Sequence, residues 1–144
     1  MRWRGLALAV GICIATIGSL AAAEKSLEPG DAEAIRTVVE HQLQAFRADD
    51  EQQAFSYASP AIQSIFKTPD TFMSMVRAEY RPIYRPREVE FRDLVTVENR
   101  WTQRVLVVGP DGVPVIAQYV MEKQPDGSWR IDGCVFERST EDTA

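Results

Sequence analysis

The sequence predicts an α+β domain, on two contrasting patterns and one kind of turn. The first half carries apolar residues at helical spacing, and the second half alternates apolar with polar residues in separate runs. Asp-Gly pairs in "GPDG" (109–112) and "QPDG" (124–127) divide the last of these runs, and such pairs accept the positive φ angles that hairpins need. Helices followed by a four-stranded antiparallel sheet are therefore expected.

The elements follow in order. "MRWRG" supplies Arg2 and Arg4, Leu6 to Leu20 is uncharged and mostly apolar, and Ala21-Ala22-Ala23 precedes Glu24. A positive start, a short apolar run and small residues at the end mark a secretory signal peptide cleaved after Ala23. The competing reading is an uncleaved anchor, because a membrane span needs roughly 20 apolar residues. Cys13 lies in mid-run behind bulky Ile12, which speaks against lipoprotein processing. A single domain from Glu24 to Ala144 is expected, periplasmic or secreted and free of the membrane once the signal is cleaved. It would be two charges more negative than the whole chain's −5. So acidic a surface lacks the electrostatic footprint of a nucleic-acid binder.

From Asp31 to about Ala48, Ile35, Val38, Val39, Leu43 and Phe46 form the one-sided stripe of an amphipathic helix. His41, the one histidine, falls on the opposite face. Asp50 stands three residues before Gln53 and caps a short helix. "SPAIQSIF" and "TPDTFMSMVRAEY" open with Ser-Pro and Thr-Pro, since proline is tolerated in the first helical turn. Ile62, Ile65, Phe66, Phe72, Met75, Val76 and Tyr80 give these helices a buried side. "YRPIYRPRE" then reads as a stiff basic connector, because proline restrains the residue before it to extended conformations.

Four strands follow. "EVEFRDLVTV" places Val89, Phe91, Val95 and Val97 on one face, and "RWTQRVLVVG" is the second strand. "VPVIAQYVMEK" has Val113, Val115, Ala117, Tyr119 and Met121 in phase, and "SWRIDGCVFE" has Trp129, Ile131 and Val135 in phase. Leu106, Val108, Ile116 and Val120 make the opposite face apolar enough to predict a homodimer through the sheet.

A long first helix, short following helices and a final "DGSWRI" hairpin resemble the nuclear-transport-factor-2-like, or cystatin-like, fold. That resemblance implies helices packed on a curved sheet as a cone, often with an internal pocket. "HQLQAFRADDEQQAFSYASPAIQSIF", "TFMSMVRAEYRPIYRP", "WTQRVLV" and "GSWRIDGC" further resemble the bacterial domain-of-unknown-function family 4864. This implies an exported protein of the same fold and no particular reaction.

Little chemistry is encoded. With Cys13 lost, Cys134 is the single thiol, flanked by Val135 and Phe136, and reads as a small buried hydrophobe. One histidine and one cysteine assemble no zinc set, and Asp49-Asp50 supplies too few oxygens for a hard cation, so neither a metal nor a cofactor is expected. Two features stand out. Arg81, Arg85 and Arg87 suit an acidic protein partner or an anionic ligand. Gln42, Asp93 and Gln103 are polar residues in apolar phase, and with Tyr119 they are the candidate lining of an internal pocket. An inward Asp93 would be a general acid or base with its charged form disfavoured. A β-bulge after Phe91 would instead turn Asp93 outward and Leu94 inward, with the glutamines bonded to the backbone. Two functions follow: a non-catalytic module binding a small apolar molecule or a protein partner, or a small isomerase, dehydratase or hydrolase using Asp93.

Overall fold

The computed structural model describes residues 26–139. The expected signal peptide and Cys13 lie outside the described residues. Five helices precede four strands: α1 Asp31–Arg47, α2 Glu51–Ser56, α3 Pro60–Phe66, α4 Pro69–Glu79, α5 Arg81–Tyr84, β1 Glu88–Val97, β2 Arg100–Val108, β3 Pro114–Lys123 and β4 Trp129–Arg138. The strands form one open antiparallel sheet in the order β1-β2-β3-β4.

The short helices start where their caps dictate. Asp50 Oδ1 accepts from Gln53 N at 3.1 Å, Ser59 Oγ from Ile62 N at 3.2 Å and Thr68 Oγ1 from Thr71 N at 3.2 Å. Each satisfies an amide that the first turn leaves without a helical partner. The α5 segment departs from the extended connector expected there. Pro82 falls in the first turn of a new helix, where its missing N–H costs nothing. The amides of Ile83 and Tyr84 both reach Tyr80 O at 3.0 Å, and Ile83 is buried. Gly109 at the end of β2 lets α5 approach, since a Cβ there would lie 2.9 Å from Pro82 Cα.

Two bulges shift the strand phases. In β1 the pairing passes from Phe91↔Val105 to Leu94↔Gln103, one residue more on β1 than on β2. Leu94 therefore joins Val89 and Phe91 against the core, while Val97 is exposed. That corrects the expectation of a single face holding Val89, Phe91, Val95 and Val97. In β4 the pairing passes from Met121↔Ile131 to Val120↔Gly133, leaving Asp132 as the extra residue. Beyond it Cys134 and Phe136 pack on the core and Val135 is 62% exposed, which corrects the expected phase of Val135. On the opposite sheet face Ile116 is buried and Leu106, Val108 and Val120 are half-buried.

The edge of β4 carries a further pairing. Ala58 bridges Ile131 in parallel, with Ser59 N donating to Ile131 O and Ile131 N to Tyr57 O, both at 2.8 Å. Helix α1 lies on β4 and buries Ile35, Val39, Leu43 and Phe46. Its N-terminus is held by Asp31, whose carboxylate accepts from Trp129 Nε1 at 3.0 Å, Glu28 N at 2.8 Å and Lys123 Nζ at 3.2 Å. The Trp129 bond, then the Glu28 amide, hold the Asp31 pKa below the usual carboxylate range against the opposing effect of burial.

A folded pKa below the unfolded one gives stability that is present above the unfolded value, about 3.9, and lost as pH falls through the folded value. Asp31→Asn is therefore expected to melt below wild type at neutral pH, with the gap closing as pH falls through the acid range. Melting curves between neutral and acid pH check this; a constant gap contradicts it.

Candidate functional site

The short helices and the bulged end of β4 border a half-open cavity of about 280 Å³. Phe46 of α1 and Ile62, Phe66, Phe72, Met75 and Val76 of α3 and α4 supply most of its wall, with Ile131, Gly133 and Cys134 of β4 opposite. Helix α3 buries none of its residues fully, and Ile65 is 67% exposed while touching the cavity. The apolar side of α3 is thus shared between the core, on which Ile62 and Phe66 pack, and the open space.

Few polar groups reach this wall. Gln42, 3% exposed on α1, donates its amide nitrogen to Ala54 O at 3.1 Å. Tyr80 donates its hydroxyl to Cys134 O at 3.2 Å. Burial, then the neighbouring Cys134 and Glu79, push the Tyr80 phenol up. Glu79, in the last turn of α4, is the only charged residue of the lining among the described residues. Cys134 is half-buried, and burial pushes its thiol far above the usual range. Such a thiol is protonated at neutral pH and is a poor nucleophile.

Of the four residues expected from sequence to line an internal pocket, Gln42 alone lines this cavity. Tyr119 lies behind the wall, opposite Cys134 across β3 and β4. It is fully buried, its hydroxyl has no hydrogen-bond partner among the described residues, and burial drives its pKa well upward. Gln103 is 4% exposed and donates to Arg92 O at 2.9 Å and Arg104 O at 3.0 Å, capping carbonyls beside the β1 bulge. Asp93 sits in that bulge with its side chain 57% exposed, paired with Arg104 at 3.1 Å. The inward orientation on which an acid–base role depends is absent, and the outward one is present.

The basic stripe is also divided. Arg85 donates to Phe46 O at 2.5 Å and to Asp49 Oδ2 at 2.8 Å, and it stacks on Tyr84 with 3.9 Å to the ring centre. It fastens α5 to the end of α1, whereas Arg81 and Arg87 are exposed. Asp49 also accepts from Tyr84 Oη at 2.5 Å, and that bond is the main reason its pKa is lowered. His41 is exposed, with Nδ1 3.3 Å from Tyr57 Oη.

The apolar wall on α3 and α4 had a signal in helical spacing, but that signal reads the same whether the face is packed or open. Glu79 had none. Among the described residues no cluster of three His, Cys, Asp or Glu side chains stands ready for a metal ion, and no helix is long and apolar enough to cross a membrane.

Cys134 is expected to react slowly with thiol reagents in native buffer and rapidly in denaturant. Cys134→Ala should cost on the order of 1 kcal/mol. Cys134→Asp should cost considerably more, because an unpaired carboxylate is placed against apolar walls. Fast native labelling at neutral pH would contradict the buried, protonated thiol.

No curated protein matches the chain. The family model described as Domain of unknown function (DUF4864) matches residues 28–144, and the chain belongs to that family.

Proposed function

We propose that this protein is a non-catalytic binding module that holds a small apolar molecule in the cavity between α3, α4 and β4. The observation that carries the reading is the wall itself: a space of about 280 Å³ lined almost throughout by aliphatic and aromatic side chains, with a few polar groups. Ligand sites have that character. A cavity near 150 Å³ accommodates benzene, so this one suits about ten non-hydrogen atoms.

Catalysis has little support beside it. Nucleophile and base would have to share a site, yet the thiol is held protonated, His41 is on the surface and Asp93 faces solvent. The arrangement of helices before an antiparallel meander, with a pocket between them, favours placement in the nuclear-transport-factor-2-like superfamily. The N-terminal pattern of Arg2, Arg4, an apolar run and three alanines favours export to the periplasm or beyond.

Titration of purified protein with 4-phenylbutan-1-ol, a neutral probe of matching size, is expected to show one saturable site. At a probe concentration about a hundredfold above Kd, the melting temperature should rise by roughly 10 °C. Cys134→Leu and Ile62→Trp place atoms in the space and should weaken binding while the protein remains folded. Absence of binding to wild type, or full binding by both filled variants, removes this reading. Protein recovered from a periplasmic or culture fraction is expected to begin at Glu24, read by intact mass; Met1 retained in a membrane pellet would refute export by cleavage.

A further inference from the structure

We infer that the ligand class is a hydrophobic amine, with its apolar body in the cavity and its ammonium group at the mouth beside Glu79. The inference rests on the cavity being the ligand site, as proposed above, and adds the charge of what enters it.

The polar groups at the wall offer more acceptors than donors. The Gln42 amide nitrogen gives one of its two N–H groups to Ala54 O at 3.1 Å, so that amide offers one donor beside its acceptor oxygen. The Tyr80 hydroxyl proton is committed to Cys134 O at 3.2 Å, leaving the phenol oxygen as an acceptor. Glu79 is an acceptor when ionised, and among the described residues it forms no ion pair. The donors that remain are the second Gln42 N–H and the Cys134 S–H, a weak donor held protonated by burial.

Position adds to the inventory. Glu79 is the final residue of α4, an eleven-residue helix. A helix C-terminus carries partial negative charge and favours a cation. Glu79 is exposed, so an ammonium group beside it keeps much of its water while its carbon chain lies in the apolar space. A fatty acid of the same size would bring its carboxylate to the same end of the cavity, against like charge. A neutral alcohol would lack the attraction without meeting repulsion.

Three probes that share one apolar body separate these cases: 4-phenylbutylamine, 4-phenylbutan-1-ol and 4-phenylbutanoate, titrated calorimetrically at neutral pH and low salt. The amine is expected to bind about fivefold more tightly than the alcohol, the scale of one exposed ion pair, and the carboxylate more weakly than either. Glu79→Gln, an exposed change, should bring the amine level with the alcohol when both are titrated against the same variant. An alcohol that binds as well as the amine, or a carboxylate that binds best, overturns the amine assignment and leaves the binding module standing. An amine preference that survives Glu79→Gln overturns the role given to Glu79. If none of the three binds, the binding module itself fails and the inference with it.

Discussion

The extra residue in β4 governs much of this structure. Asp132 interrupts the pairing with β3, and its carboxylate accepts from Ser59 Oγ at 2.5 Å and Arg100 Nη2 at 2.6 Å. Because strand side chains alternate, one inserted residue moves every later side chain to the other face. Cys134 and Phe136 consequently turn to the helices and Val135 to solvent. The same bulge fixes where α3 begins. Ser59 is wholly buried, accepts from Ile62 N as the α3 cap and donates to Asp132. With Ser59 N also bonded to Ile131 O, the start of α3 is pinned to the strand edge, and the rest of that helix spans the cavity beside it.

The opposite side of the cavity is set by α1, which is tied at both ends. Asp31 fastens its first turn to Trp129 and Lys123, on β4 and β3. Arg85 and Asp49 fasten its last turn to α5. Between these ties Gln42 reaches the backbone of α2 through Ala54 O. A glutamine in an apolar stripe is costly to bury without a partner, so its bond explains how the position tolerates it. The cavity persists because its walls are anchored separately: α1 from its ends, α3 from Ser59 and α4 through Phe72, whose ring meets those of Phe46 and Phe55. Helices so held cannot easily close over the gap by sliding.

The sequence showed the helix starts plainly, since Ser59-Pro60, Thr68-Pro69 and Asp50 with Gln53 are local chemistry that tertiary packing had no reason to override. Strand faces were legible only up to the first irregularity. Counting by twos placed Val95, Val97 and Val135 inward, but a bulge adds a residue without changing composition, so periodicity counts straight through it. Asp93 shows the cost of that ambiguity, because inward and outward readings differ by one residue and carry opposite functions. The short α5 helix escaped notice for a related reason: Pro82 and Pro86 signal stiffness, and proline is equally at home in an extended link and in a first helical turn. The cavity was the least legible feature, because an apolar helix face looks the same in sequence whether it meets another side chain or an empty space.

The interior chemistry points one way. Burial raises the pKa of the Cys134 thiol and of the Tyr119 and Tyr80 phenols, so near the cavity these groups stay neutral at ordinary pH. Each is then a poor proton acceptor, and none is paired with a buried base that would activate it. An active site usually shows the reverse arrangement, with titratable groups brought near neutrality by a charged partner. Here the only charged group on the wall, among the described residues, is exposed Glu79. A wall with no charge inside and one at its opening fits the ligand class inferred above, an apolar body with a cationic end. Recognition of that kind would need no bond to be made or broken.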